Sequence, residues 1–273
     1  AGSPQIGCEK ECCLGLSLAS KSNRMVCSMG IIDPKKKAKY LIDATPDIVE
    51  QLDHLKSLST SKNLLDGVFL THAHIGHYTG LMYLGKEAIN SNNIPVYCMP
   101  RMKSFLEKNG PWSQLVEDNN IKLESLRNGD TIHLNRKLKL IPFLVPHRDE
   151  YSETIGYKII GPNRKALFIP DIDKWNKWNK RIIDEISKVD FAFIDGTFYD
   201  SEEINNREIS EIPHPFIIES MNAFRKLPNT EKNKIYFIHL NHTNPALNEK
   251  SKAYKAILIN GFHIAELNEV FSL

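Results

Sequence analysis

The chain has 273 residues, 41% hydrophobic and 25% charged, which is ample for a packed core and excludes a disordered polymer. Its 35 Lys and Arg against 33 Asp and Glu leave a formal charge of +2, too little to argue for duplex nucleic acid as a partner. No apolar run approaches the roughly 20 residues of a membrane-spanning helix, no signal peptide is read at the start, and five cysteines are too few for a disulfide scaffold.

The opening stretch AGSPQIGCEKECCLG reads as irregular loop carrying Cys8, Cys12 and Cys13. Strand-like runs follow at Arg24 to Ile32 and Lys39 to Ile42, each closed by a turn signal, Asp33-Pro34 and Asp43-Ala44-Thr45-Pro46. Lys35 to Lys37 reads as a solvated turn. A helix with Thr45 as cap accounts for the spacing of Ile48, Leu52 and Leu55. The compact strand Gly67 to Thr71 leads into HAHIGH and then a helix over Tyr78 to Ala88. Pro95 to Cys98 is expected as strand and Met102 to Asn109 as helix, ended by Gly110-Pro111. Hairpin-like stretches cover Thr131 to Val145 and Thr154 to Ile160. Strands at Ala166 to Ile169, Phe191 to Ile194 and Ile235 to Ile238 then alternate with helices at Lys180 to Ile186, Phe216 to Leu227 and Lys252 to Ile259. This alternation predicts an α/β fold of sheets covered by helices, in one domain over residues 1–273.

The chemistry gathers where apolar strands end. His72, His74 and His77 follow GVFLT, and neutral imidazole is the commonest metal ligand. Four further runs have the same layout: IPFLVPHR ends at His147, KALFIPDID at Asp171, DFAFIDGTF at Asp195 and KIYFIHLNH at His239. Open sheets place functional groups at the carboxyl ends of their strands. Asp173 competes with Asp171 as a ligand, and Asp195 also suits a turn cap.

These residues resemble the metallo-β-lactamase fold of metal-dependent hydrolases, whose mark is His-x-His-x-Asp-His after a strand; here it stands as His72-Ala73-His74-Ile75-Gly76-His77. The resemblance runs over essentially the whole chain and implies a four-layer αβ/βα sandwich, with the first strand apparently missing from this sequence. VPHRDEYSETIGY, FIPDIDKW, DGTFYD and HLNHTNP resemble segments of the pyrroloquinoline quinone biosynthesis protein B group. A Cys cluster joined to a His three residues past the last catalytic His resembles the phosphodiesterase of the carbon–phosphorus lyase pathway.

The family pattern implies one metal on His72, His74 and His147, and a second on the motif Asp, His77 and His239, with Asp171 bridging. Gly76 stands where that Asp belongs, so the second site is expected to be weakened or empty. Three His ligands leave a position for water, whose pKa a Zn²⁺ lowers to about 7, giving a metal-bound hydroxide; Fe and Mn suit the same donors. Asp171 is expected to act in catalysis, and His214, in EIPHPF, to protonate the leaving group or to be a loop residue fixed by its prolines. Arg148 pairs with an anionic substrate or with Asp149 or Glu150; Trp175 and Trp178 floor a pocket or pack in the core. The resemblance also implies a closed structural zinc on Cys8, Cys12, Cys13 and His242. Adjacent cysteines seldom share one tetrahedral ion, so one of the three is expected to stand aside; a disulfide or free thiols is the alternative. Cys27 and Cys98 read as core residues.

The expected function is metal-dependent hydrolysis of a phosphodiester or other small ester, on an anionic small molecule, with no nucleic-acid or membrane partner. The alternatives are metal-dependent oxidation of a peptide or cofactor precursor, as in the quinone-biosynthesis group, and a non-catalytic metal-holding protein. Oligomeric state and compartment, cytoplasmic or exported, are open at this point.

Overall fold

In the computed structural model, which describes residues 4–17, 24–203 and 212–273, the apolar runs assemble into a five-stranded and a seven-stranded sheet. They belong to two compact units. One comprises Val26–Asp130 with Asp149–Ile155; the other comprises Ala1–Met25, Thr131–Arg148 and Gly156–Leu273.

The Val26–Asp130 unit holds β1 (Met29–Asp33), β2 (Ala38–Ile42), β3 (Gly67–Phe69), β4 (Ile94–Cys98) and β5 (Ile121–Ser125), hydrogen-bonded in that order. β1 and β2 are an antiparallel hairpin, and β2 to β5 run parallel. The turn between β1 and β2 is the predicted lysine turn, tied by the Asp33 carboxylate accepting from the backbone N–H groups of Lys35 and Lys36. Helices Ile48–Ser57, Pro100–Lys108 and Trp112–Glu117 supply Ile48, Leu55, Met102, Leu106 and Leu115 to a core with Leu41, Val68, Leu70 and Val96. Each such side chain contributes about 1.5–3 kcal/mol on burial. The helix Trp112–Glu117 and β5 lie outside the elements expected from sequence. Gly110-Pro111 reads as a terminator, but Pro111 sits at the N-cap of the next helix.

The helix expected over Tyr78 to Ala88 is a correction. The α-helix spans Ile75–Tyr78 and gives way to a 3₁₀ stretch, Thr79–Leu84. Gly80 explains the break. Its N–H donates to the Ala44 carbonyl (2.9 Å), and a Cβ there would lie 2.1 Å from the Thr45 carbonyl oxygen. Only glycine lets these two backbone segments approach so closely, and the approach brings His77 beside the Asp43 turn.

The second unit holds β6 (Ile132–His133), β7 (Lys139–Leu144), β8 (Ile155–Ile160), β9 (Lys165–Ile169), β10 (Phe191–Asp195), β11 (Ile235–Ile238) and β12 (His263–Ile264), in the order β12-β11-β10-β9-β8-β7-β6. β9 to β12 are parallel, whereas β8 with β9 and β6 with β7 are antiparallel. Helices Ile182–Ile186, Ile217–Ala223 and Lys252–Ile259 cover this sheet, packing Ile182, Ile186, Ile217 and Ile257 on Leu167, Ile169, Ala192, Ile194 and Phe237. The predicted Phe216 to Leu227 helix is shorter because it starts with Glu219 folded back on the Phe216 N–H and stops at Ala223. No helix among the described residues is long and apolar enough to cross a membrane.

Candidate metal centres

In the Val26–Asp130 unit, parallel pairing places the carboxyl ends of β2 and β3 side by side. Asp43 follows β2, and Thr71-His72 follow β3. Asp43 is fully buried and in the left-handed region (φ 67°), where Asp is among the few tolerated side chains. Its carboxylate accepts from the Thr71 N–H (2.8 Å), from the Thr71 hydroxyl (2.8 Å to Oδ2) and from His77 Nδ1 (2.7 Å). With its proton given to Asp43, the Thr71 hydroxyl accepts from His72 Nδ1 at 3.0 Å. Glu150 Oε2 lies 3.0 Å from His74 Nε2 and fixes the proton there.

These bonds decide the tautomers. His77 and His72 carry hydrogen on Nδ1, which leaves Nε2 as the lone-pair atom; His74 carries it on Nε2, which leaves Nδ1. His72 Nε2 and His74 Nδ1 then face each other at 2.9 Å. Two lone pairs at that distance repel unless a cation lies against both, and two nitrogens at about 2.1 Å from one ion subtend a comparable separation. The donor chemistry therefore fits a metal, and Asp43, Thr71 and Glu150 orient its ligands from behind. Sequence reading missed Asp43, although AKYLID has the same apolar-strand-then-ligand layout as the runs it recognised.

In the second unit, the register of β9, β10 and β11 brings Asp171, Asp195 and His239 to one edge. Asp171 is the hub. Its carboxylate lies 3.8 Å from His147 Nε2, 3.5 Å from His214 Nδ1 and 3.3 Å from His239 Nε2. Ligand atoms of His147, Asp171 and His214 lie within 4.8 Å of one another, close enough for one ion. His239 has φ 62°, a strained value for a non-glycine residue of the kind that collects at functional sites. Asp195 is no ligand. It accepts from the Thr197 N–H (2.9 Å) and hydroxyl (2.7 Å) and from His214 Nδ1 (2.8 Å). The Thr197 hydroxyl then accepts from His239 Nδ1 at 3.0 Å, turning Nε2 toward Asp171. Burial by itself lowers the His214 pKa, but the Asp195 charge and hydrogen bond, with Asp171 behind, outweigh it and hold the imidazole above its ordinary value.

Asp173 bonds Lys177 Nζ (2.8 Å) and the Lys174 N–H, so it is a surface ion pair. Trp175 donates to Ser220 Oγ and Trp178 to the Leu144 carbonyl, and both pack on the second unit's core. Arg148 is exposed. Cys98 is a core residue whose thiol burial pushes to a pKa of about 12. Cys27 is half-buried and outside any strand, which corrects its core reading.

The third cluster is Cys8, Cys12, Cys13 and His242, all within 4.8 Å. The expected loop contains a short helix, Glu11–Leu14, whose turn presents Cys12 and Cys13 together. Cys12 Sγ lies 3.9 Å from Cys8 Sγ, 4.0 Å from Cys13 Sγ and 3.7 Å from His242 Nδ1; Cys13 Sγ lies 3.4 Å from that nitrogen. A tetrahedral zinc with Zn–S bonds of about 2.3 Å sets edges of about 3.8 Å. All four donors lie close enough for one ion, both adjacent cysteines among them. Among the described residues no cysteine is in a disulfide.

A model of the beta-lactamase superfamily domain matches residues 38–240. The chain belongs to that superfamily. Its fold is the metallo-β-lactamase fold, of mixed α/β class. It is similar to coenzyme PQQ synthesis protein B of Methylococcus capsulatus, 26% identical with 82% of this chain and 80% of that protein covered. Among solved structures it is similar to Zn²⁺-bound PqqB from Methylobacterium extorquens, with a TM-score of 0.82 and 20% identity over 100% of this chain and 96% of that one. A diphosphatase of the PhnP family follows with a TM-score of 0.63 and 21% identity over 97% of this chain and 89% of that one.

Proposed function

We propose that the chain is a metal-dependent hydrolase of a small anionic phosphodiester or related ester, with His72, His74, His77, His147, Asp171 and His239 as its metal-binding residues. The observation that carries this reading is His214, held by Asp195 at 2.8 Å beside Asp171. A bound divalent ion supplies Lewis-acid polarisation and activates water. The chain's own residues do the rest. Asp43, Thr71, Thr197 and Glu150 fix which nitrogen of His72, His74, His77 and His239 bears hydrogen, and Asp195 anchors the His214 ring so that its other nitrogen can deliver a proton to a leaving oxygen. His214→Gln keeps size and polarity but cannot act as an acid. It is expected to lower kcat by about 10²–10⁴-fold while bound metal is unchanged. Equal kcat in wild type and variant, or loss of metal in parallel with rate, would remove the acid role.

The proposed metal inventory follows from the donors. One zinc belongs on Cys8, Cys12, Cys13 and His242, and one catalytic ion is held tightly. Gly76 offers no ligand, and Asp43 does not replace it, because Asp43 bonds Nδ1 of His77 and leaves Nε2 to the metal. Metal analysis is expected to give about two tightly held ions per chain in wild type and about one in Cys8→Ala. Three in wild type, or no change in Cys8→Ala, would contradict the inventory.

A second reading follows the curated relatives, named for coenzyme PQQ synthesis. Under it, a metal such as iron serves oxidation of a peptide or cofactor precursor, and oxygen uptake replaces ester hydrolysis. A protein that binds metal and turns over neither class would be a non-catalytic metal holder.

A further inference from the structure

A cavity of about 280 Å³ in the Val26–Asp130 unit is lined by Arg101, Phe105, Lys108, Glu150 and Tyr151, with Ser104 between. Four of these come from one face of the helix Pro100–Lys108, at positions i, i+3, i+4 and i+7. The opposite wall is the segment Glu150-Tyr151. It is held to the helix by the Arg101 N–H donating to the Glu153 carboxylate (3.0 Å) and by Arg101 Nη2 donating to the Asp149 carbonyl (2.8 Å).

Three features define what this cavity recognises. First, its charge is net positive: Arg101 and Lys108 outnumber Glu150 in the lining, the Arg101 guanidinium bonds backbone carbonyls, and among the described residues neither it nor Lys108 forms an ion pair with a carboxylate. Arg101 therefore keeps donors for an anion. Second, it has an aromatic wall. The Phe105 and Tyr151 rings lie 5.4 Å apart, and Tyr151 is 63% exposed, an unusual position for a ring backed by the Tyr78–Phe105–Trp112 cluster. Third, it adjoins the reaction centre, because Glu150 lines the cavity and also bonds His74.

We infer that this cavity is a substrate subsite for an anion bearing a flat ring, with the ring on Tyr151 and the negative group on Arg101 and Lys108. Its use in catalysis rests on the hydrolase reading; its ligand preference does not. Selectivity then comes from ring stacking and charge together, so a ring-bearing phosphate binds and an alkyl phosphate of equal charge binds less well.

Adenosine 5′-monophosphate is a suitable probe, titrated calorimetrically into the metal-bearing protein as purified, with glycerol 3-phosphate as the ringless comparison. The nucleotide is expected to bind at least tenfold tighter than glycerol 3-phosphate. Lys108→Met is expected to weaken it about tenfold, and Tyr151→Ala to remove the preference for the ring. Lys103→Met, on the same helix but off the cavity, is the control and is expected to change nothing. Equal affinity for the two probes, or equal nucleotide affinity in wild type, Lys108→Met and Tyr151→Ala, would overturn the subsite. Binding with these effects but without ester hydrolysis would retain the subsite and refute the hydrolase reading; hydrolysis with no effect of the two substitutions would do the reverse.

Discussion

Replacing Asp43 with Ala is expected to destabilise the protein by about 3–5 kcal/mol, because three buried donors lose their shared acceptor. The carboxylate is fully buried and serves three donors, the N–H and hydroxyl of Thr71 and Nδ1 of His77. Each loses its acceptor where water does not reach, at about 1–3 kcal/mol apiece. Alanine must also adopt the left-handed backbone that Asp tolerates at φ 67°. Asp43→Asn separates stability from metal chemistry. Asparagine keeps the volume, suits the backbone and still offers an oxygen to Thr71. Its NH₂ group, turned toward His77, demands a lone pair on Nδ1 and moves the ring proton to Nε2, the atom that faces away from Asp43. Asp43→Asn is therefore expected to cost less stability than Asp43→Ala, yet to weaken metal binding about 10–100-fold, the usual effect of losing a partner behind a ligand. Chemical denaturation and competitive metal titration check the two halves. Metal affinity unchanged in Asp43→Asn would show that His77 does not ligate through Nε2.

The second large effect is expected from His147→Ala. His147 enters directly after β7 and Val145-Pro146, its side chain is fully buried, and its Nε2 points toward Asp171 at 3.8 Å. Removing the imidazole deletes a proposed ligand and leaves the Asp171 carboxylate near His214 and His239 without it. Hydrolysis is expected to fall by on the order of 10³-fold or more, with the catalytic ion lost and the cysteine-held zinc retained. Because a buried truncation also leaves a cavity, His147→Gln serves as the packed control. It is expected to restore stability but not the metal. A His147→Gln protein that keeps both metal and rate would remove His147 from the ligand set.

The strand ends are legible in the sequence because a buried parallel strand must be an apolar run, and whatever polar group follows it stands at the sheet edge. GVFLTHAH, KALFIPDID and KIYFIHLNH therefore announce His72, His74, Asp171 and His239. Asp43 escapes because Asp-Ala-Thr-Pro also spells a turn, and the turn is real: the Thr45 hydroxyl accepts from the Asp47 N–H at 3.1 Å. One residue serves both roles, and local sequence reports only the local one. Asp195 shows the converse. Its turn bonds to Thr197 and its bond to His214 are made by the same carboxylate, so the turn-cap reading is correct but incomplete. The break at Gly80 is not readable either, since it depends on the backbone of Ala44 and Thr45, far away in sequence. The alternation Ile121-Lys122-Leu123 does carry the strand signal for β5, but it is too short to stand alone against the polar residues around it.

The cysteine cluster illustrates how helix geometry gathers candidate donors. Adjacent side chains on a loop diverge, but in the turn Glu11–Leu14 Cys12 and Cys13 both come within 4.0 Å of another donor of the set. That turn brings two neighbouring cysteines to one cluster of donors.

The most direct measurement of the central claim follows ester hydrolysis and oxygen uptake in parallel on protein loaded with zinc, manganese or iron, using bis(p-nitrophenyl) phosphate and a tyrosine-containing peptide as the two substrates. The account predicts p-nitrophenol release that depends on the added metal and disappears in His74→Ala, with no oxygen consumed. Oxygen uptake that requires iron, without release of p-nitrophenol under any metal, would contradict it.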